Sequence, residues 1–433
     1  MITGFSKLNR QEKIDLLKQS ALLKDIHVEA MDSFQSINTA TQDIINELSE
    51  NSISNYALPF GIAPNFLIND KFYYVPMVTE ESSVVAAASY AAKFWAENRG
   101  FHCNVISTQK SGQIYFSWDG NIQKIIDDFQ IIKKKLLEAA SSLTSNMVKR
   151  GGGITSIQLG KENKSNYYTI NVDFETVDSM GANLINSCLE VMGKELINFI
   201  KKKYPRGNSE PEIIMAILSN YTPDCLVECM VECEISKLSQ ISGTLSPQQF
   251  ADRFEKAVQI AHENTSRAVT HNKGIFNGID AVLIATGNDF RSAEANAHAY
   301  ASQDGHYKAL THTKIAKDMF RLVLRMPLAL GTVGGATAVH PLAKLALNIM
   351  QNPTAKELMQ IVAAAGLASN FAAIRSLVTD GIQKGHMKLH LNNILHQLNA
   401  SDTAKSKART YFSDKQVSFK SVADYLENIH QQA

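Results

Sequence analysis

The sequence predicts an α+β protein: a large, mostly helical body interrupted by an inserted ferredoxin-like unit and closed by a small C-terminal flap. Three observations predict it. Between about residues 111 and 220 the signals run strand, helix, strand, strand, helix, strand, the order of a split βαβ unit. The segments on either side are larger and richer in helix. The tail from Gly385 to Ala433 turns polar and His-bearing behind a long Ala-rich helix, short enough to form a separate cap. At 433 residues the chain also exceeds the length at which one core stops growing, so more than one domain is expected.

A polar first helix is predicted from about Asn9 to Leu23. Ser82 to Arg99 reads as a second, with Val84, Val85, Ala88 and Ala92 along one stripe and Gly100 as a stop. Its alanines suit close packing. Ile114 to Trp118 has strand character. Asn121 to Met147 repeats Ile122, Ile125, Ile126, Phe129, Ile132, Leu136 and Leu137 at helical spacing, with Lys133 to Lys135 mostly outward. Arg150-Gly-Gly-Gly153 breaks the chain. Two strands follow, Ile154 to Leu159 and Tyr167 to Asp173, joined by the polar turn Lys161 to Asn166. A helix from Met180 to Lys203 and a strand from Glu212 to Leu218 complete the unit. From Pro247 the chain reads as helical to Gln351, apart from a β-like stretch, Lys317 to Leu330, ending in Gly331-Thr-Val-Gly-Gly335. Thr354 to Lys384 is the Ala-rich helix.

Composition excludes several classes. Forty-three Lys and Arg against 42 Asp and Glu leave a net charge of +1, too balanced to grip a nucleic-acid backbone. No run approaches the ~20 apolar residues of a bilayer span. Asn9-Arg10-Gln11-Glu12-Lys13 sits where a secretory signal would need its apolar core. Neither a membrane nor export is expected. The five cysteines, Cys103, Cys188, Cys225, Cys229 and Cys233, form no CxxC pair, which suits a reducing cytoplasm. Cys225, Cys229 and Cys233 share a spacing of four in a strand-forming segment and read as thiols packed on one face. Zinc ligands usually pair through tight turns instead. No metal is expected.

No Walker A sequence occurs, and neither Arg150-Gly-Gly-Gly153 nor Gly331-Thr-Val-Gly-Gly335 fits GxGxxG after a strand. A dinucleotide would need another cradle. Asp178-Ser-Met-Gly-Ala-Asn183 offers one, because Gly181 and Ala182 open the helix that starts near Met180 and its N–H groups and dipole suit a phosphate. The plain alternative is that Asp178 caps that helix. Ionisable residues stand in unusual company at four further places. Glu80 and Glu81 precede the small-residue helix, where the macrodipole favours them in any case. Lys273 lies in Thr270-His-Asn-Lys-Gly-Ile-Phe-Asn-Gly-Ile-Asp280, whose Gly274 and Gly278 suggest a backbone pressed close to a ligand. Asp289 follows in Ala285-Thr-Gly-Asn-Asp-Phe-Arg291. His386 and His390 stand one helical turn apart in Gly385-His-Met-Lys-Leu-His390, with no HExxH beside them. Singly, each reads as well as a solvated, paired or surface group.

Together they carry more. Pro76-Met-Val-Thr-Glu-Glu-Ser-Ser-Val-Val-Ala-Ala-Ala-Ser89, Asp178 to Asn183, Arg267 to Asp280, Ala285 to Asp289, Gly331 to Gly335 and Gly385 to His390 occur in an order and spacing that resembles the class II hydroxymethylglutaryl-coenzyme A (HMG-CoA) reductases, over nearly the whole chain. The resemblance implies an oxidoreductase that passes two hydrides from NADPH or NADH to the HMG-CoA thioester. Mevalonate and free coenzyme A would be released, or the reaction would run in reverse. It implies catalytic roles for Glu81, Lys273, Asp289 and His386, and a carboxylate grip for Arg267. Ser83, Asn220 and Asn277 become substrate contacts. Asp178, Met180, Gly181, Ala182 and Asn183, with Gly331, Thr332 and Gly334, become cofactor contacts. It further implies a substrate domain from residues 1–110 and 221–377, an inserted dinucleotide domain at 111–220, and a flap at 378–433 that brings His386 over the site. A cytoplasmic homodimer with an interfacial site is implied, or a hexamer built from it.

These residue types suit that chemistry. An ammonium at Lys273 would stabilise the first oxyanion. An imidazolium at His386 would protonate the departing thiolate. Glu81, raised by burial and a neighbouring carboxylate, would supply a proton to the aldehyde oxygen, and Asp289 would tune both in one coupled cluster. Ser82 stands where some members carry proline, and Glu50-Asn-Ser-Ile-Ser54 resembles a family motif that ends in glycine. A 2′-phosphate would call for Arg or Lys near the adenosine ribose. Lys149, Arg150, Lys161 and Lys164 are available but unplaced, and the choice between NADPH and NADH stays open with a slight lean to NADPH. The rivals are an idle coenzyme A- or nucleotide-binding scaffold, and a reductase of another acyl-coenzyme A. The full set of ionisable positions argues against the first, and Arg267 against the second.

Overall fold

The computed structural model describes residues 2–20, 22–160, 167–204, 210–379, 391–392, 394–412, 415 and 417–431. His386, His390, the turn from Lys161 to Asn166 and the end of the Ala-rich helix lie outside them.

The chain begins with α1 (Arg10–Gln19), which starts where the sequence predicts because Asn9 and Glu12 form a reciprocal capping box. It stops at Gln19 rather than Leu23. Two short helices, α2 (Asp25–Ser33) and α3 (Thr39–Glu47), follow. They bury almost nothing, so no apolar stripe announces them. Next comes a hairpin the sequence reading passed over, β1 (Phe60–Ile68) and β2 (Lys71–Val78). Its register slips between Ala63 and Phe66. Pro64, which cannot donate to a ladder, falls within that slip and masks the strand pattern. Asn69 and Asp70 close the hairpin, both at positive φ, as a two-residue turn requires.

Helix α4 (Val84–Ala96) lies on β1 and ends near Gly100, whose φ of 75° carries the chain into β3 (His102–Val105). The inserted segment then runs β4 (Lys110–Ser117), α5 (Ile122–Asp127), α6 (Phe129–Lys149), β5 (Gly153–Leu159), β6 (Tyr167–Glu175), α7 (Ala182–Lys203) and β7 (Glu212–Leu218). Its sheet has the order β5-β6-β4-β7 with every neighbour antiparallel, a split βαβ topology. The helix predicted over Asn121 to Met147 is broken at Asp128. That carboxylate accepts from the Tyr204 hydroxyl and pairs with Lys203 Nζ at 2.5 Å, a tie from the far end of α7. Ile114, Phe116, Ile132, Leu136, Leu189 and Met192 belong to a core separate from that of the main body.

The chain returns as β8 (Leu226–Glu234), then α8 (Pro247–Glu263), α9 (Thr265–Ala285) and α10 (Phe290–Ala301). The β-like stretch is a hairpin rather than one strand: β9 (Thr311–Ala316) and β10 (Met319–Pro327) turn at Lys317 and Asp318. The second sheet has the order β3-β8-β10-β9. On β8, Val227, Cys229, Val231 and Cys233 alternate inward, and Cys225 is buried just before them. All five cysteines are free and buried, and burial pushes the Cys225 thiol up to about 11. Among the described residues no group of His, Cys, Asp and Glu could hold a metal.

After α11 (Gly335–Val339) and α12 (Pro341–Ile349), α13 (Ala355–Val378) runs through the main core. Its Phe371 packs against Phe94, Trp95 and Phe254, and Phe320 joins them through Trp95. Length and apolarity would let α13 cross a bilayer, yet 72% of its most apolar window is buried in this core. It crosses α9 closely. A Cβ on Gly278 would stand 2.3 Å from the Ala365 carbonyl oxygen, so this glycine serves helix packing, in place of the close approach to a ligand that its sequence context suggests. The helices Asp402–Tyr411 and Phe419–Gln431 share a small core of their own with Leu391, Ile394 and Leu395.

Candidate active site

Three parts of the chain meet around a cavity of about 450 Å³: the turn before α4 with the first two turns of α4 itself, one face of α9 and the C-terminal half of α13. The turn is sharp because Ser83 sits at φ 78°, ψ −16°, a left-handed conformation that costs a non-glycine residue free energy. Just before it, the Glu81 N–H donates to Thr79 Oγ1 at 3.1 Å. The turn carries Glu81 to Lys273 of α9, whose Nζ lies 2.5 Å from Glu81 Oε2. Their side chains are 37% and 60% exposed, so both remain open to a ligand. Arg267, His271, Gly274 and Asn277 follow at helical spacing on the cavity side of α9. The cavity is therefore lined by Glu81, Ser83, Arg267, Lys273 and Asn277 of the predicted set.

The other predicted residues gather elsewhere in the chain. Thr332 N–H donates to the Asp178 carbonyl at 2.8 Å, Ser179 bridges to Val333, and Gly331 N–H donates to Asn288 Oδ1 at 2.9 Å. The Asp178 to Asn183 turn, the Gly331 to Gly335 loop and the turn before α10 thus form one cluster. Gly331 is required there, since a Cβ would meet Met180 N at 2.4 Å. Asp178 does not cap its own helix. Its carboxylate accepts from Ala355 N–H at 2.8 Å, at the start of α13. The α7 N-terminus is left with Gly181 at φ 84° and no side-chain cap, flanked by Ala182 and the exposed Asn183. Gly334 stands in open space at φ 81°.

Asp289 belongs to this second cluster. Its carboxylate caps α10 by accepting from Ser292 N–H, and Ser292 Oγ donates to Asn220 Oδ1 at 2.9 Å. Within one chain the structure does not bring Asp289 into the Lys273 cavity. The stretch of α9 from Lys273 to Ala285 alone rises about 18 Å. His386 lies outside the described residues.

Some cavity residues escaped the sequence reading. Arg375 lines it and lays its guanidinium 4.8 Å from the Tyr90 ring. A lone charge in an alanine run was the available signal. His271 is buried, and desolvation, helped by Arg267, His262 and His312, pushes its imidazole down to about 3. A buried, raised carboxyl was expected at Glu81, but Glu81 is ion-paired and partly exposed. Burial acts on Asp280, two turns along α9 from Lys273, and raises it to about 8. Glu294 and Glu80 add to that rise, and Lys273 opposes it.

A sequence profile for hydroxymethylglutaryl-coenzyme A reductase matches residues 9–391. The chain is 34% identical over 406 residues to 3-hydroxy-3-methylglutaryl-coenzyme A reductase of Archaeoglobus fulgidus, covering 91% of this chain and 86% of that one. It is 33% identical to a probable enzyme of the same name from Borreliella burgdorferi, covering 94% and 92%. A solved Streptococcus pneumoniae 3-hydroxy-3-methylglutaryl-coenzyme A reductase superposes with a TM-score of 0.73 at 35% identity, over 99% of both chains. A class II structure from the same organism, bound to NADPH in open conformations, gives 0.72 at 36% identity, covering 87% of this chain and 99% of that one. The chain belongs to the hydroxymethylglutaryl-coenzyme A reductase family, in its class II.

Proposed function

We propose that this protein reduces the HMG-CoA thioester to mevalonate in two hydride transfers, at a site that two copies of the chain complete. The observation that carries the reading is the Lys273–Glu81 pair at the mouth of a cavity lined by Arg267. Arg267 is available to hold the free carboxylate of the hydroxymethylglutaryl group through its guanidinium fork. The Lys273 ammonium then faces the thioester carbonyl oxygen and stabilises the oxyanion formed when hydride adds to the carbon. Glu81, already in hydrogen-bond contact with that ammonium, relays a proton to the aldehyde oxygen in the second reduction. His386 takes the thiolate role that the resemblance implies.

A nicotinamide cofactor supplies the hydride, and the second cluster fits one. The α7 N-terminus has no side-chain cap, and where Gly331 approaches the turn before it the nearest atoms are backbone. Such a helix start suits a pyrophosphate. NADPH is favoured over NADH, in line with the NADPH-bound relative. Residues 111–220 then form the dinucleotide domain, 1–110 with 221–377 the substrate domain, and 378–433 the flap.

The separation of Lys273 from Asp289 within one chain supports a homodimer, in which the Asp289 cluster of one copy completes the Lys273 cavity of the other. The test is an absorbance assay of NADPH and NADH oxidation with HMG-CoA, coenzyme A release followed in parallel. The expected result is two reduced cofactors consumed per coenzyme A, faster with NADPH. No cofactor oxidation with either nucleotide overturns the reading.

A further inference from the structure

On the cavity side of α9 lies one buried side chain that no part of the proposed mechanism uses. His271 is 1% exposed, yet lines the same cavity as Arg267 and Lys273. One of its ring nitrogens is fully engaged: Nε2 lies 2.6 Å from Thr311 Oγ1. The network around that contact assigns the tautomer. Asn370 Nδ2 donates to the His271 carbonyl at 3.1 Å, which turns Asn370 Oδ1 toward Thr311. The Thr311 hydroxyl donates to that oxygen at 3.3 Å, so its own oxygen accepts from His271 Nε2–H. The other nitrogen, Nδ1, therefore bears a lone pair, and this buried atom has no hydrogen-bond partner.

Burial and the nearby Arg267 keep the ring neutral throughout the working pH range. The lone pair is thus permanent, and its desolvation cost is already incurred on folding. Nδ1 is closed to water, so a ligand donor reaches it with a small shift of the cavity wall and then gains a hydrogen bond without displacing water from it. Ser369 Oγ is a second buried, unpartnered atom lining the cavity. A helical serine can turn its proton back to the preceding turn, so it carries less weight. An imidazole lone pair has no such escape.

We propose that His271 reads the tertiary hydroxyl of the hydroxymethylglutaryl group, accepting its O–H at Nδ1, and so separates this substrate from acyl-coenzyme A thioesters that lack the hydroxyl. The inference rests on the functional reading above. The chemistry leaves one candidate in the acyl part of the substrate. Its carboxylate and thioester carbonyl are both acceptors, which a lone pair repels, and the hydroxyl is its one donor. The spacing agrees, since Arg267 and His271 are one helical turn apart, with Cβ atoms about 5–6 Å from each other. The hydroxyl-bearing carbon is two bonds from the carboxylate carbon that Arg267 holds.

The test measures affinity and kcat/KM for HMG-CoA and for 3-methylglutaryl-coenzyme A, its deoxy analogue, in wild type, His271→Gln and His271→Asn. Glutamine keeps a partner for Thr311 at the Nε2 position and has nothing at Nδ1; asparagine keeps an acceptor near Nδ1. Wild type is expected to prefer HMG-CoA by about tenfold or more. His271→Gln should bring that ratio close to one, by losing affinity for HMG-CoA alone, and His271→Asn should retain most of it. Equal losses on both ligands in His271→Gln, or an unchanged ratio, overturn the proposal. Should His271→Gln not fold, the Nδ1 nitrogen resonance of wild type decides. It is expected to shift on adding HMG-CoA and not on adding the deoxy analogue; equal shifts, or none, overturn the proposal. A wild type that binds no HMG-CoA overturns the functional reading itself, whereas one that discriminates through another residue removes only His271.

Discussion

Lys273 Nζ meets Glu81 Oε2 at 2.5 Å across 192 positions of sequence. Both side chains are substantially exposed, and ion pairs of that kind contribute about 0–1 kcal/mol to stability. Lys273→Ala and Glu81→Gln should therefore change the free energy of unfolding by no more than about 1 kcal/mol. Turnover should fall by about 10²-fold or more, the typical cost of removing a charge-stabilising donor. Unfolding in urea and steady-state rates on the same preparations separate the two effects. Large destabilisation with retained turnover would assign the pair to the fold.

The division of Lys273 and Asp289 between two clusters makes a distinct prediction about assembly. If one copy supplies Lys273 and its partner Asp289, the inactive variants Lys273→Ala and Asp289→Ala should complement when dissociated and reassembled together. Half of the dimers would then be mixed, each with one intact site, restoring about a quarter of wild-type activity. Activity in the mixture no greater than that of the separate variants would place the whole site within one chain.

Gly278 and Gly274 lie one turn apart on α9 and should respond oppositely to alanine. At Gly278 a Cβ would stand 2.3 Å from backbone oxygen of α13, which cannot yield without moving the helix. Overpacking of that sort costs about 1–3 kcal/mol. At Gly274 the nearest atoms are 3.8 Å away, so alanine should stabilise the helix by about 1 kcal/mol. Denaturant midpoints of the two variants check this, and equal shifts would refute the close crossing.

Asp280 makes stability depend on pH. Its folded carboxyl titrates at about 8, above the ordinary value near 4, chiefly through burial and then through Glu294. Between these values the folded state holds a proton that the unfolded chain has released, so this carboxyl makes stability fall as pH rises from about 4 to 8. Asp280→Asn removes that dependence. Thermal unfolding at pH 5 and at pH 8.5 should show the variant gaining on wild type at the higher pH, whereas parallel behaviour would contradict the assignment.

Much of the architecture was legible because it is written in local pattern. The apolar repeat of Ile132, Leu136 and Leu189 belongs to helices that bury one face against a sheet, and period alone reveals such elements. The α1 start was readable from its capping box. The β1–β2 hairpin was not, because Pro64 sits inside a register slip and spoils the alternation. The break at Asp128 was also hidden, since its cause is Tyr204 and Lys203, more than seventy residues away.

The sequence by itself determined which residue types are available and in what order: a lysine, a glutamate and an arginine in segments of small residues, with glycines where backbone must come close. It also carried the family resemblance, since motif identity and spacing are properties of the polymer. Only the tertiary structure decided which of them meet. It put Lys273 against Glu81, joined Gly331 to Met180, turned Asp178 toward α13 and left His271 with an unpaired nitrogen. Contacts between distant positions depend on how helices cross and which atoms lose water, and neither is encoded in any local window of sequence.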